Sequence, residues 1–131
     1  MSEEDRSMID RGLEIRRQVL GDEYVDKAMA AKTDVQAKFQ DMVAGFCWGE
    51  VWGREALSLR ERSLMNIVML TALNRPHEIA LHVQGALNNG LTTEEIEEAI
   101  LHTMPYCGIP AAIDAMRTAR PILEAASEAE A

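Results

Sequence analysis

Cysteine is scarce in this chain. Cys47 and Cys107 are the only two, sixty positions apart, so there is no disulfide framework and no C-x-x-C pair. That usage suits a reducing, cytoplasmic compartment. Aromatic residues make up only 5% of the sequence. Period-two alternation and β-branched runs are missing, so nothing reads as a strand. No stretch reaches the ~20 apolar residues of a membrane span, and the N-terminus, MSEEDR, is acidic where a secretory signal would be basic and then apolar. Positive charge is also short: 13 basic against 22 acidic residues give a net charge of −9. That balance argues against nucleic acid as a partner, and membrane partners are not expected either.

What is present is a globular composition, with 47% hydrophobic and 27% charged residues over 131 positions. This length predicts a single domain, residues 1–131, able to bury roughly two-thirds of its unfolded surface. The punctuation is that of helices. Ser2 or Ser7 can cap a first helix to about Leu20, which Gly21 breaks, and a short second one runs from Asp22 to Ala31. Thr33 with Gln36 forms a capping box for a third, with Val35, Phe39, Met42, Val43 and Phe46 at helical spacing and Gly49 and Gly53 loosening its end. Ser58 with Glu61 opens a fourth, which Asn74 ends, and Pro76 suits the first turn of the next. Asn89-Gly90 is a stop signal. Thr92 with Glu95 caps a sixth helix, which Pro105 and Gly108 kink or end. Pro110 starts the last, with Pro121 expected to disturb it and the tail ASEAEA expected to fray. The predicted fold class is all-α.

Residues 58–90 organise the rest. The run from Leu64 to Leu73 is apolar on nearly every side, so it must be buried in this core or against another subunit. Beyond it, Arg75, His77, Glu78 and His82 crowd into eight positions. His77 and His82 are five apart, about 140° around a helix, which rules out the metalloprotease pattern of two histidines on one face. Glu78 and His82 are four apart and share a face. They are either a helix-surface pair worth a few tenths of a kcal/mol or a carboxylate orienting an imidazole for acid–base work. Residues 54–75 are the only net-positive stretch, with Arg54, Arg60, Arg62 and Arg75 against Glu55 and Glu61. This is either a local anion site in an acidic protein or a solvated helix start. Trp48 and Trp52 are also four apart, with Arg54 following: core packing, or a flat wall beside a guanidinium suited to a planar anion. Tyr106, Cys107 and His102 lie near the proline-rich break at 105–110, where a pocket could form.

The segments GDEYVD (21–26), WGEVWGR (48–54) and RSLMNIVMLTALNRPHEIALHVQGALNNGLTTEEIEEAILHTMPYCGIPAA (62–112) together resemble the carboxymuconolactone decarboxylase family. The resemblance spans about residues 8–125. It is carried by W-G-x-x-W-x-R, A-L-N-R, E-I-x-L-H, N-N-G and Y-x-G-x-P-A-A in combination. It implies an all-helical AhpD-like fold, commonly built into a ring as a homotrimer or homohexamer. It also implies a cofactor-free lyase of protocatechuate catabolism, converting 4-carboxymuconolactone to the enol-lactone and CO₂. Pro105 departs from the pattern, standing where a residue that continues the helix is expected.

Under that reading the substrate is a small lactone carboxylate and no metal is required, because the conjugated lactone carbonyl takes up the electrons left by CO₂. Arg54 and Arg75 would anchor carboxylates, since guanidinium forks match them. His82, oriented by Glu78, would be the general acid, and His77 an oxyanion donor or substitute acid. Trp48, Trp52 and Tyr106 would line the substrate site. Two other functions stay open. The thiol hydroperoxidases of the same fold carry Glu-x11-Cys-x2-Cys-x3-His; with that histidine set on His82, Ser63, Arg75 and Glu78 occupy the other three positions. Such chemistry would then have to use Cys47 and Cys107 in another arrangement. The third possibility is a non-catalytic helical assembly protein.

Overall fold

The computed structural model describes residues 1–130, and every regular element among them is helical. The chain forms two compact units, Met1–Ser58 and a second beginning at Leu59.

In the first unit, α1 (Glu3–Leu20) starts at Ser2, whose hydroxyl accepts from the Asp5 N–H while the Asp5 carboxylate accepts from the Ser2 N–H. Three acidic residues in its first turn complement the helix dipole. Gly21, at φ 89°, turns the chain into α2 (Asp22–Met29). Thr33 caps α3 (Asp34–Met42) through the Gln36 N–H, but the Gln36 side chain accepts from the Lys32 N–H, so only half of the expected box forms. The third helix does not loosen at Gly49. It widens at Val43 into a π-helical segment, Val43–Val51, which closes with the Trp52 N–H on the Cys47 carbonyl. Glycine makes this possible: α1 lies so close to the π segment that a Cβ on Gly12 would fall inside the Ala44 carbonyl, and one on Gly49 would meet the Met8 carbonyl. The apolar stripe of α3 does not bury as its spacing suggested. Val35, Phe39, Met42 and Phe46 are all exposed.

In the second unit, α4 (Leu59–Ala72), α5 (Pro76–Asn88), α6 (Thr93–Cys107) and α7 (Ile109–Glu130) pack around Ile67, Ile79, Val83, Ile96 and Ile100. Each such side chain contributes about 1.5–3 kcal/mol on burial. Ala112, Ala115 and Ala119 give α7 a narrow buried stripe. Asn74, at φ 56°, makes the turn between α4 and α5, and Pro76 sits at the start of α5 as expected. Thr92 and Glu95 form the full capping box of α6.

Helix α6 passes through Pro105 without a break and ends at Gly108, as expected, with the Gly108 N–H on the Met104 carbonyl. Two expectations fail in the last helix. Helix α7 passes through Pro121 in the same way, and the tail stays helical to Glu130; Ala131 lies outside the described residues. A proline costs its helix one hydrogen bond, but buried neighbours on both sides, Ala119 and Leu123 in α7, hold the two turns in line. The central run is buried on one side only. Ser63, Ile67 and Thr71 face inward, while Leu64, Met65, Met69 and Leu73 stay exposed. No helix among the described residues is long and apolar enough to cross a membrane.

Candidate active site

The clustered polar residues of the second unit occupy the first two turns of α5. With Pro76 at its start, Glu78 falls in the first turn, where the dipole favours a carboxylate, and His82 follows one turn later on the same face. His82 is 8% exposed, Glu78 is half-buried and His77 is exposed. Burial pushes the His82 imidazole below its usual range, and the Glu78 carboxylate partly offsets this by favouring the charged form. The two residues therefore interact through charge, as the spacing predicted. His82 is also too deeply seated to belong to a helix-surface pair.

The histidine has a neighbour that the sequence reading missed. The side-chain amide nitrogen of Asn66, on α4, lies 3.4 Å from His82 Nδ1. Asn66 stands sixteen positions upstream, a lone amide between Met65 and Ile67 in an apolar run. Only the packing of α4 on α5 brings it to the imidazole. The one available signal was a poor helix former placed in the middle of an apolar helical run.

The arginine-rich stretch divides into two kinds of residue. Arg60 pairs with Glu95 and holds that carboxyl below its usual range, and Arg62 is buried. Arg54 and Arg75 are exposed; the Arg75 guanidinium donates to the Leu73 carbonyl at 3.1 Å. Tyr106, 80% exposed, leans on the His102 ring one turn away, with centroids 5.8 Å apart and planes at 43°. Cys47 is exposed and Cys107 half-buried, both as free thiols.

In the first unit Trp48 and Trp52 are buried and stacked, with centroids 4.6 Å apart and planes at 26°. The π-helical turn carries this pair. Arg54 follows after a tight turn in which its N–H reaches the Val51 carbonyl. A cleft of about 420 Å³, lined by Met8, Lys38, Met42, Phe46 and Glu50 among others, contains none of the candidate site residues. Trp48, Trp52 and Arg54 thus belong to the first unit, and Arg75, His77, Glu78, His82 and Tyr106 to the second. Among the described residues no group of three or more His, Cys, Asp or Glu side chains has the arrangement of a metal site.

Residues 37–121 match the model of the carboxymuconolactone decarboxylase family. The chain is 39% identical over 120 residues to a 4-carboxymuconolactone decarboxylase of Acinetobacter baylyi, covering 92% of this chain and 90% of that protein. It is 40% identical over 111 residues to the nitrosuccinic acid decarboxylase npaB of Metarhizium robertsii, covering 85% of this chain and 78% of that protein. A 4-carboxymuconolactone decarboxylase of Pseudomonas putida is 32% identical over 47 residues, 36% of this chain and 98% of that sequence.

Proposed function

This chain belongs to the carboxymuconolactone decarboxylase family, and we propose that it decarboxylates 4-carboxymuconolactone to the β-ketoadipate enol-lactone without a cofactor. The observation that carries this reading is the near full-length likeness to the Acinetobacter baylyi decarboxylase. The family match runs across the junction at Ser58–Leu59.

The chemistry asks little of the protein. The carbon–carbon bond to the leaving carboxylate breaks, and its electron pair moves through the conjugated system onto the lactone carbonyl oxygen. The resulting dienolate is protonated on the carbon next to that carbonyl. Each turnover releases one CO₂ and takes up one proton. The protein must hold two carboxylates, stabilise an oxyanion and deliver the proton. Arg54 and Arg75, exposed cations of the net-positive stretch, would hold the carboxylates. His82 would deliver the proton, with Glu78 favouring its charged form and His77 acting as oxyanion donor or second acid. A buried imidazole that rests neutral gains its proton more readily once a dianionic substrate is bound beside it. Trp48 and Trp52 would wall the ring, and Tyr106 would contact the substrate from its edge.

The likeness to a nitrosuccinic acid decarboxylase favours one rival substrate. There a nitro group serves as the electron sink, while the needs for two carboxylate anchors and one proton are the same. Copies of the chain would assemble as a homotrimer or homohexamer, covering the exposed Leu64, Met65, Met69 and Leu73 of α4, which supports the ring that the family resemblance implies. The decisive assay incubates the pure protein separately with the lactone and with nitrosuccinate and measures CO₂. Release from the lactone is expected, at a rate lowered ~10²–10⁴-fold by His82→Ala. Release from nitrosuccinate alone would reassign the substrate, and release from neither would end the reading.

A further inference from the structure

The first unit buries a cation that the proposed reaction does not use. We propose that the cavity where α2 meets α3 binds a small organic carboxylate. The side-chain amides of Gln36 and Gln40 hold its charged end, and Ala28, Ala31, Val35 and Phe39 hold its apolar body. The site lies in the first unit alone and stands or falls independently of the decarboxylase reading.

Arg16, on α1, is 4% exposed, and its partners are neutral. One terminal nitrogen donates to the Gln40 side-chain oxygen at 2.9 Å and lies 3.7 Å from the Met29 sulfur, a weak acceptor. The guanidinium carbon sits 5.7 Å above the Tyr24 ring. Its Nε is buried and meets no acceptor among the described residues. The carboxylates of α2 are committed elsewhere, Asp22 and Asp26 to Arg17 and Glu23 to Lys27. Buried charges are normally paired. This one holds Gln40 instead, and Gln40 lines a cavity of about 360 Å³.

The cavity's polar groups are donors. The Gln36 side-chain oxygen accepts from the Lys32 N–H at 2.8 Å, as the Gln40 oxygen accepts from Arg16. Neither a backbone N–H nor a guanidinium can accept, so the atom facing each must be the amide oxygen. Both oxygens are thereby occupied, and the two NH₂ groups meet no acceptor among the described residues. The two side chains stand one helical turn apart on α3, about 5–6 Å at Cβ, a spacing that the two oxygens of one carboxylate can share. Among the described residues lining the cavity none is acidic, in a chain of net charge −9. Arg16, bonded to the back of Gln40, supplies the charge and polarises its amide. A neutral ligand would gain the hydrogen bonds without that charge, and an inorganic anion would leave Val35 and Phe39 uncovered.

The probe is benzoate, titrated into the whole ¹⁵N-labelled protein, with benzyl alcohol and inorganic phosphate as controls. Gln36→Ala and Gln40→Glu identify the two side-chain amide signals among those of four glutamines and four asparagines. Saturable shifts of both are expected with benzoate, at a dissociation constant of about 1 mM or tighter, and at least tenfold weaker binding of either control. Gln36→Ala should weaken benzoate by about tenfold or more, the range for a hydrogen bond to a charged group. Gln40→Glu gives Arg16 a carboxylate and removes two donors, so it should abolish binding with a urea midpoint at or above that of wild type. Arg16→Met should weaken binding in a folded protein. His82→Ala should bind benzoate here as wild type does, which separates this site from carboxylates held at the candidate active site. Absence of a saturable shift at Gln36 and Gln40 in wild type overturns the proposal and needs no variant to fold. So does a folded Gln40→Glu protein that binds benzoate unchanged, or benzyl alcohol or phosphate binding as tightly as benzoate.

Discussion

Replacing Gly12 by alanine tests the packing that carries the tryptophan pair. In an exposed helix interior this change would stabilise by about 1 kcal/mol, because alanine has less backbone entropy to lose. Here the new Cβ would lie 1.7 Å from the Ala44 carbonyl oxygen and 2.8 Å from the Gly49 nitrogen, whereas real Cβ contacts essentially never fall below 3.0 Å. The obstacles are backbone atoms, so no rotamer change relieves them, and α1 must move off the π segment by more than an ångström. Overpacking of this kind costs about 1–3 kcal/mol, sometimes more. Taking the upper end against the propensity gain, Gly12→Ala should destabilise the first unit by about 2 kcal/mol, roughly a thirtyfold change in its unfolding equilibrium. Trp48 and Trp52 are the only tryptophans, so urea unfolding followed by tryptophan fluorescence reads this unit directly. Gly45→Ala is the control: its Cβ would meet the flexible Ile9 side chain at 3.2 Å and the Ile9 nitrogen only at 4.0 Å, and should shift the midpoint far less. A Gly12→Ala protein at least as stable as wild type, with an unchanged urea dependence, would refute the close approach of α1 to the π segment.

Four further outcomes are expected. His82 has its folded-state pKa lowered by burial, so its contribution to stability is fully present above its unfolded value near 6.5 and is lost as pH falls through the lowered one; melts at pH 7.5 and 5 should differ less in His82→Gln than in wild type. The same shift means that kcat/KM should rise as pH falls from 7 towards that lowered value if His82 must be protonated, with Glu78 the charge acting on the ring and Asn66 of α4 uncharged; a flat profile over that window would speak against it. Arg16 is 4% exposed, with its guanidinium on Gln40 at 2.9 Å and over the Tyr24 ring but on no carboxylate among the described residues. Exchanging a buried charge for an apolar side chain is often neutral or stabilising. Arg16→Met should therefore keep or raise the urea midpoint, whereas Gln40→Leu, which strips the guanidinium of an acceptor, should cost about 1–3 kcal/mol. Finally, turnover should survive EDTA, because the substrate supplies its own electron sink; loss of activity restored by a divalent ion would contradict that mechanism.

The sequence by itself determined the helical class, most helix boundaries and the pairing of Glu78 with His82. These are local matters: a Ser or Thr three residues before its partner, a proline in a first turn, a glycine at positive φ, and two side chains four apart act within one turn of helix. Family membership was likewise legible in short motifs spread along the chain. Other features depended on packing between helices distant in sequence. Whether Pro105 and Pro121 break their helices is decided by what holds the flanking turns, which no local rule contains. The widening of α3 into a π-helical turn answers to the backbone contact of Gly12 with Ala44. The exposure of Phe39 and Phe46 could not be read from a periodicity that says which residues share a face but not what covers it. Asn66 was invisible as part of the site for the same reason. Its contact with His82 depends on the side of α4 that packs against α5, and that choice belongs to the tertiary structure.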